Sequence, residues 1–206
     1  MGQPSNPVAH HPHRRDHQAV PQIPLQTARL DLIPLTDEHL AEEIALDADP
    51  DVTHYVWGRP RTREEVLASH AQRMERGRQI DGLGFWAGFA RDEPGRPFVG
   101  WWILGPLHGP DQGDWRTSPG VAELGYRLHR RFWRQGFASE GSRELLRHGF
   151  EELGLHRVIA QAVTDNMGSR AVMESVGMRF VRSWDEPDGE VEYAVTRHAW
   201  FSRHLS

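Results

Sequence analysis

The sequence predicts an α/β protein built on a mixed, mainly antiparallel sheet with helices on both faces. Three observations carry that prediction. Segments 82–90 and 97–104 are apolar and strand-like, and the turn residues Asp92, Glu93, Pro94 and Gly95 join them as an antiparallel hairpin. A later strand, helix and strand over residues 121–163 require a parallel pair with a right-handed crossover. The full order reads β-α-α-β-β-β-α-β-α-β-β, with no internal repeat.

Each element has a local cause. Residues 1–23 are rich in Pro, His, Gln and Asn, without an apolar run, and read as a disordered tail ahead of a domain over residues 24–206. His10, His11, His13 and His17 lie in that tail without carboxylate or thiolate partners. A solvated tail is the simpler reading than a metal site, and no metal is expected. Leu30 and Leu32 share one face of the first strand. Thr36 then caps a helix to about Leu46, which the residues 47–50 (Asp-Ala-Asp-Pro) end. Thr62 and Glu65 form a capping box for a helix to about Arg76.

Residues 105–120 form a long Gly/Pro/Asp loop of the kind that often carries function. In the strand 121–128, Val121, Glu123, Gly125 and Arg127 share one face, and Ala122, Leu124, Tyr126 and Leu128 the other. A helix starts near Gly136 with a buried stripe at Ala138, Ser142, Leu145, Gly149, Phe150 and Leu153, and ends at Gly154. Strand 158–163, helix 166–176 and strands 178–184 and 190–196 follow, the last two around a turn at 186–189.

The chain has 206 residues, no Cys and a net charge of −5. The length suits one domain. The absence of Cys excludes disulfides, thiolate metal sites and a Cys nucleophile. The acidic balance argues against non-specific nucleic-acid binding. No stretch is long and apolar enough to span a membrane, and the start has no apolar leader core, so a cytoplasmic address is expected.

The sharpest local feature is WRQGFASE at residues 133–140, where a short basic loop enters a helix through Gly and small residues. Free N–H groups at a helix start form an anion site that small residues let a phosphate approach. Arg130, Arg131 and Arg134 add positive charge. An ordinary strand-to-helix turn is the other reading. No GxxxxGK[ST] string exists. GLGFWA at residues 82–87 matches GxGxxA, but strand-like residues follow it, which excludes a dinucleotide fold.

From Val121 to Arg182 the chain resembles the GNAT acyltransferase superfamily, particularly its RimJ/RimL-like branch. The matching strings are AELGY at 122–126, FWRQGFASE at 132–140, GLHRV at 154–158, Asp165-Asn166 with Ser169, and ESVGMRF at 174–180. The opening TARLDLIPLT at 27–36 and the ending EYAVTRHAW at 192–200 are similar too, so the resemblance covers about residues 25–201. It implies a GNAT fold splayed at a cofactor cleft, with acetyl-coenzyme A as acyl donor. It also implies that Arg134, Gln135, Gly136, Phe137, Ala138 and Ser139 cradle the pyrophosphate. The strand end near Leu128 would pair with the pantetheine arm, and Asn166 would contact the cofactor. Trp133 stands where the wider superfamily has Gln or Arg, as the branch often does.

The implied reaction is attack of a neutral amine on a thioester, which needs a base. Glu123 is the candidate, since a mid-strand carboxylate in an apolar sheet is costly unless used or paired; a Glu on an exposed sheet face is the alternative. Many superfamily members place a Tyr acid where this chain has Met173. Ser169 is the replacement acid, or simply a helix cap, and Tyr126 also points toward the site. The acceptor is a primary amine: a protein N-terminus by branch resemblance, or a small molecule. The 105–120 loop, Tyr55, Trp57, Trp86, Trp101 and Trp102 either line its pocket or form core. Asp111 and Asp114 would suit a cationic acceptor. A non-catalytic acyl-coenzyme A sensor is the alternative function, and a homodimer is left open.

Overall fold

A computed structural model describes residues 21–107, 116–184 and 189–204. Eight strands form one sheet in the order β1-β2-β3-β4-β5-β6-β8-β7. They are β1 (Leu25–Gln26), β2 (Leu30–Pro34), β3 (Gly84–Ala90), β4 (Phe98–Pro106), β5 (Val121–Leu128), β6 (Arg157–Val163), β7 (Arg179–Trp184) and β8 (Glu190–Thr196). The helices are α1 (Leu40–Asp47), α2 (Pro50–Trp57), α3 (Arg63–Gly77), α4 (Phe137–Arg147), α5 (Met167–Ser175) and α6 (Arg197–His204). Every neighbouring pair is antiparallel except β5 and β6. The mixed, mainly antiparallel α/β sheet is therefore as expected.

The sheet carries a core on each face, because strand residues alternate sides. On one face Trp86, Trp102, Leu104, Leu124 and Ala122 pack against Leu145, Leu146 and Phe150 of α4 and the segment after it. On the other, Phe85, Ala87, Trp101 and Ile103 pack beneath Leu46 of α1 and Val52 of α2. Trp86, Trp101 and Trp102 are thus core residues, not pocket lining.

The capping box of α3 forms as read: Glu65 N–H donates to Thr62 Oγ1 at 3.3 Å, and Thr62 N–H to Glu65 Oε2 at 2.9 Å. The helix after Thr36 opens with a 3-10 turn over Asp37–His39. His39 Nδ1 there accepts the Thr36 N–H at 3.0 Å, the role a Glu usually plays.

Five features differ from the sequence reading. Asp49 and Pro50 end one helix and also start α2, with the Asp49 carboxylate accepting from Asp51 N–H at 2.9 Å and Pro at the first position. Helix α6 adds a final turn after β8, and α4 runs on into a π-helical segment, His148–Glu152. Short β1 adds an edge strand. Gln22 and Ile23, read as tail, are tied to β3: Gln22 Nε2 donates to Phe85 O at 2.6 Å, and Trp86 Nε1 to Ile23 O at 2.8 Å. Residues 1–20 of the tail with its His residues, Asp111, Asp114 and most of the 186–189 turn lie outside the described residues. Among the described residues no helix is long and apolar enough to cross a membrane, and no cluster of His, Asp and Glu could hold a metal ion.

Candidate active site

The site begins where the sheet opens. Strands β5 and β6 pair over only three positions, Val121 with Arg157, Ala122 with Val158 and Glu123 with Ile159, and then part. On the far side of β5, His129 N–H donates to Val99 O at 2.9 Å, continuing the β4 register. Antiparallel alternation then turns the main-chain groups of Leu124, Tyr126 and Leu128 toward the opening. Leu128 is only partly free, since its carbonyl accepts the Trp133 indole N–H at 2.8 Å. That bond gives Trp133 a structural purpose. The Leu124 N–H belongs to the last rung, facing Ile159 O in the parallel ladder, so the Leu124 carbonyl and the main-chain groups of Tyr126 are the open ones.

Past the end of β5 the chain makes a 3-10 turn, Arg130–Phe132, and a tight loop into α4. Gly136 caps the helix with φ 84°, and Arg134 also takes a positive φ, 57°. Gly adopts that conformation freely; Arg does so at a cost of about 1 kcal/mol or more. The first helical bond is Glu140 N–H to Gly136 O at 2.9 Å. The N–H groups of Phe137, Ala138 and Ser139 therefore have no acceptor within the helix. Arg130 is committed to Asp51, and Arg131 lies over the Phe132 ring at 4.5 Å, whereas exposed Arg134 is unpaired among the described residues. Ser139 Oγ meets Ser175 Oγ at 2.8 Å, and Gln135 Nε2 donates to Arg131 O at 2.5 Å.

Across the opening, Asn166 caps α5 by accepting the Ser169 N–H at 3.1 Å, so its side chain already has a structural partner. The Tyr126 hydroxyl donates to Ser169 O at 3.1 Å and lies 3.0 Å from Ser169 Oγ. Burial pushes the Tyr126 phenol well above its ordinary value, only partly offset by the Ser169 contact, so it stays protonated. Met173 is buried in the core.

Glu123 projects from the opposite face of β5, together with Gly125 and Arg127. The structure thus joins Ser169 to Tyr126 rather than to Glu123. The Glu123 carboxylate accepts from Arg76 Nη2 of α3 at 2.6 Å, and that nitrogen also donates to Pro106 O at 2.7 Å. Glu123 stands at the last paired rung, where β5 and β6 separate. Two residues on, Gly125 keeps the surface low. Then Arg127 pairs with buried Asp47 at 2.8 Å and lies between the rings of Trp57 and Trp101, at 4.3 and 4.9 Å. Arg61 also lies over the Trp57 ring, at 4.4 Å, and Arg73 over the Trp101 ring, at 5.4 Å, giving an Arg-Trp cluster between α2, α3 and the sheet. Sequence reading missed Arg76 and Asp47. Their signal was faint: Arg73 and Arg76 recur at helical spacing on one side of α3.

A parted sheet beside a helix start rich in free amides defines an acyl-coenzyme A-dependent acyltransferase, and comparison with known proteins agrees. The model of the acetyltransferase (GNAT) domain matches residues 29–179. The chain is 42% identical over 190 residues to the FsC-acetyl coenzyme A-N(2)-transacetylase of Aspergillus fumigatus, covering 87% of this chain and 78% of that protein. Among solved structures, a GNAT acetyltransferase from Bacillus anthracis superposes with a TM-score of 0.70 at 22% identity, over 85% of this chain and 99% of the other. The spermidine N-acetyltransferase from Vibrio cholerae, in complex with CoA and spermine, gives 0.67 at 13% identity over 85% and 99%. The chain belongs to the GNAT family of acetyltransferases. It is an acyltransferase whose donor is acetyl-coenzyme A.

Proposed function

We propose that the chain acetylates a primary amine of a small molecule, using Glu123 as base. The observation that carries this reading is the place of Glu123: a carboxylate at the rung where the sheet opens, oriented by Arg76. The relative from Aspergillus fumigatus, named for an N(2) acetyl transfer, supports an acceptor of that kind. A protein N-terminal amine is the second reading, favoured by the RimJ/RimL-like string at residues 132–140.

The residues present fit the donor. Three helix amides without acceptors and an unpaired Arg134 suit a pyrophosphate. The open Leu124 carbonyl and the main-chain groups of Tyr126 suit an extended amide-bearing arm added as a strand, with Leu128 N–H beside them. Bound acetyl-coenzyme A supplies a thioester carbonyl open to attack by a neutral amine. Glu123 takes the proton of the amine, directly or through water, and Arg76 keeps the carboxylate aimed at the opening. Ser169, beside the Tyr126 hydroxyl, gives its proton to the leaving thiolate and regains one from solvent. Main-chain N–H groups of the β5 edge meet the developing oxyanion.

Glu123→Gln tests the reading. General base catalysis contributes about 10²–10⁴-fold, so kcat should fall by about that much while coenzyme A affinity holds. Turnover within about threefold of wild type would remove Glu123 from the chemistry.

A further inference from the structure

The loop into α4 is held from outside by one residue. Arg29, at the start of β2, donates from Nη1 to Gln135 O at 3.0 Å. Its Nε and Nη2 reach Glu140 Oε2 at 2.7 and 2.6 Å, and its ring-like face lies 4.3 Å from the Phe137 centroid. Glu140 is fixed in turn, accepting the Arg29 N–H at 2.8 Å and the Thr27 hydroxyl at 2.5 Å. The guanidinium is thus locked in one orientation, with its fork shared between the first turn of the helix and the carbonyl before it.

In a trans peptide the C=O and N–H point in opposite directions. Holding the Gln135 carbonyl toward Arg29 therefore turns the Gly136 N–H to the other face of the loop. Gly136 by itself allows either sense, because both signs of φ are open to it. A flipped peptide would present a carbonyl dipole where an anion must bind. Gly136 also leaves room for the guanidinium, since a Cβ there would stand 3.3 Å from Arg29 Nη2. The Glu140 charge cancels that of Arg29, so the pair acts through orientation rather than net attraction.

We propose that Arg29 is a positioning residue for the coenzyme A pyrophosphate, holding the Gln135–Gly136 peptide with its amide rather than its carbonyl facing the phosphate. This rests on the reading of residues 134–139 as the pyrophosphate cradle, and not on which amine is acetylated.

Calorimetry with coenzyme A tests it on wild type, Arg29→Met, Arg29→Lys and Thr27→Val. Met and Lys should each weaken binding by about tenfold, the size of one misplaced charge-assisted hydrogen bond. Lys keeps the charge but cannot span both partners, so it separates orientation from charge, and it stands in if Met fails to fold. Thr27→Val loosens Glu140 and lowers Tm, yet should keep affinity within about twofold. At saturating donor kcat should hold within about twofold. Acetyl-pantetheine, which lacks the pyrophosphate, should react equally with wild type and variants. Unchanged affinity in the Arg29 variants would overturn the proposal, as would a loss shared by Thr27→Val or by acetyl-pantetheine. Failure of wild type to bind coenzyme A would instead overturn the cradle itself.

Discussion

Gly141→Ala puts a helix preference against a packing limit. In an exposed helix the change would stabilise by about 1 kcal/mol. Gly141 is not exposed. It lies on the side of α4 that rests on Trp102, a residue with no solvent exposure. A Cβ at 141 would stand 2.6 Å from Trp102 Cε2, 2.7 Å from Nε1 and 2.9 Å from Cζ2, against an ordinary contact starting at 3.4 Å. The indole has little room to yield, because it is fully buried and its other edge lies over Gly88 of β3, so close that a Cβ there would stand 2.3 Å from Trp102 Cζ3. The helix must then retreat by about 0.8 Å, the difference between 3.4 and 2.6 Å. Overpacking of this kind costs about 1–3 kcal/mol. After the propensity gain, up to about 2 kcal/mol of destabilisation remains, which for a chain of this size is up to about 8 °C in Tm. The retreat would also lengthen the bond from Trp102 Nε1 to Ala138 O, now 3.3 Å, and shift the free amides of residues 137–139. Thermal melts with and without coenzyme A read both effects. A Tm at or above wild type with full coenzyme A affinity would refute the packing argument.

Two further outcomes follow from charge. Arg127→Met strips the partner from Asp47, which is 1% exposed, and should cost about 3–5 kcal/mol in denaturant unfolding; a loss below about 1 kcal/mol would mean the pair is not isolated from water. Burial pushes the Glu140 carboxyl up, but the Thr27 hydroxyl and the Arg29 amide and guanidinium outweigh it and hold its pKa below the usual 4.5. A lowered folded-state pKa gives stability that is present above pH 4.5 and lost as pH falls through the folded value. The Tm gap between wild type and Glu140→Gln should therefore be widest at neutral pH and close on acidification, and a gap constant down to pH 3 would contradict this.

Much of the architecture was legible because its causes are local. The Thr62 and Glu65 capping box, the alternation along β5 and the glycine opening α4 depend on residues a few positions apart. Where two local meanings share one residue pair, the reading failed: Asp49-Pro50 signals both a stop and a start, and only the stop was taken. The site was legible by type and not by partner. Glu123 stood out as a carboxylate in an apolar strand, but Arg76 lies 47 residues away and reaches it only through the packing of α3 on the sheet. Arg29 and Glu140 are separated by 111 residues, and nothing along the chain announces their meeting. Trp133 read as a departure from a motif; its indole bond to Leu128 shows a side chain closing a strand end.

The three rungs between β5 and β6 carry a further consequence. An open strand edge at the rim of a sheet is an invitation to aggregation, which proteins blunt with charges, bulges or short strands. Here the open edge lies in the middle of an eight-stranded sheet. The rungs close one end of the gap, and Tyr126 reaching Ser169 of α5 bridges one of its faces. A neighbouring sheet edge cannot reach such a slot, because strands flank it on both sides. A slender arm that presents amides but carries little bulk can. The fold can therefore keep hydrogen-bonding capacity on offer without the hazard that usually attends it, and the shape of the gap acts as a filter on what may use it.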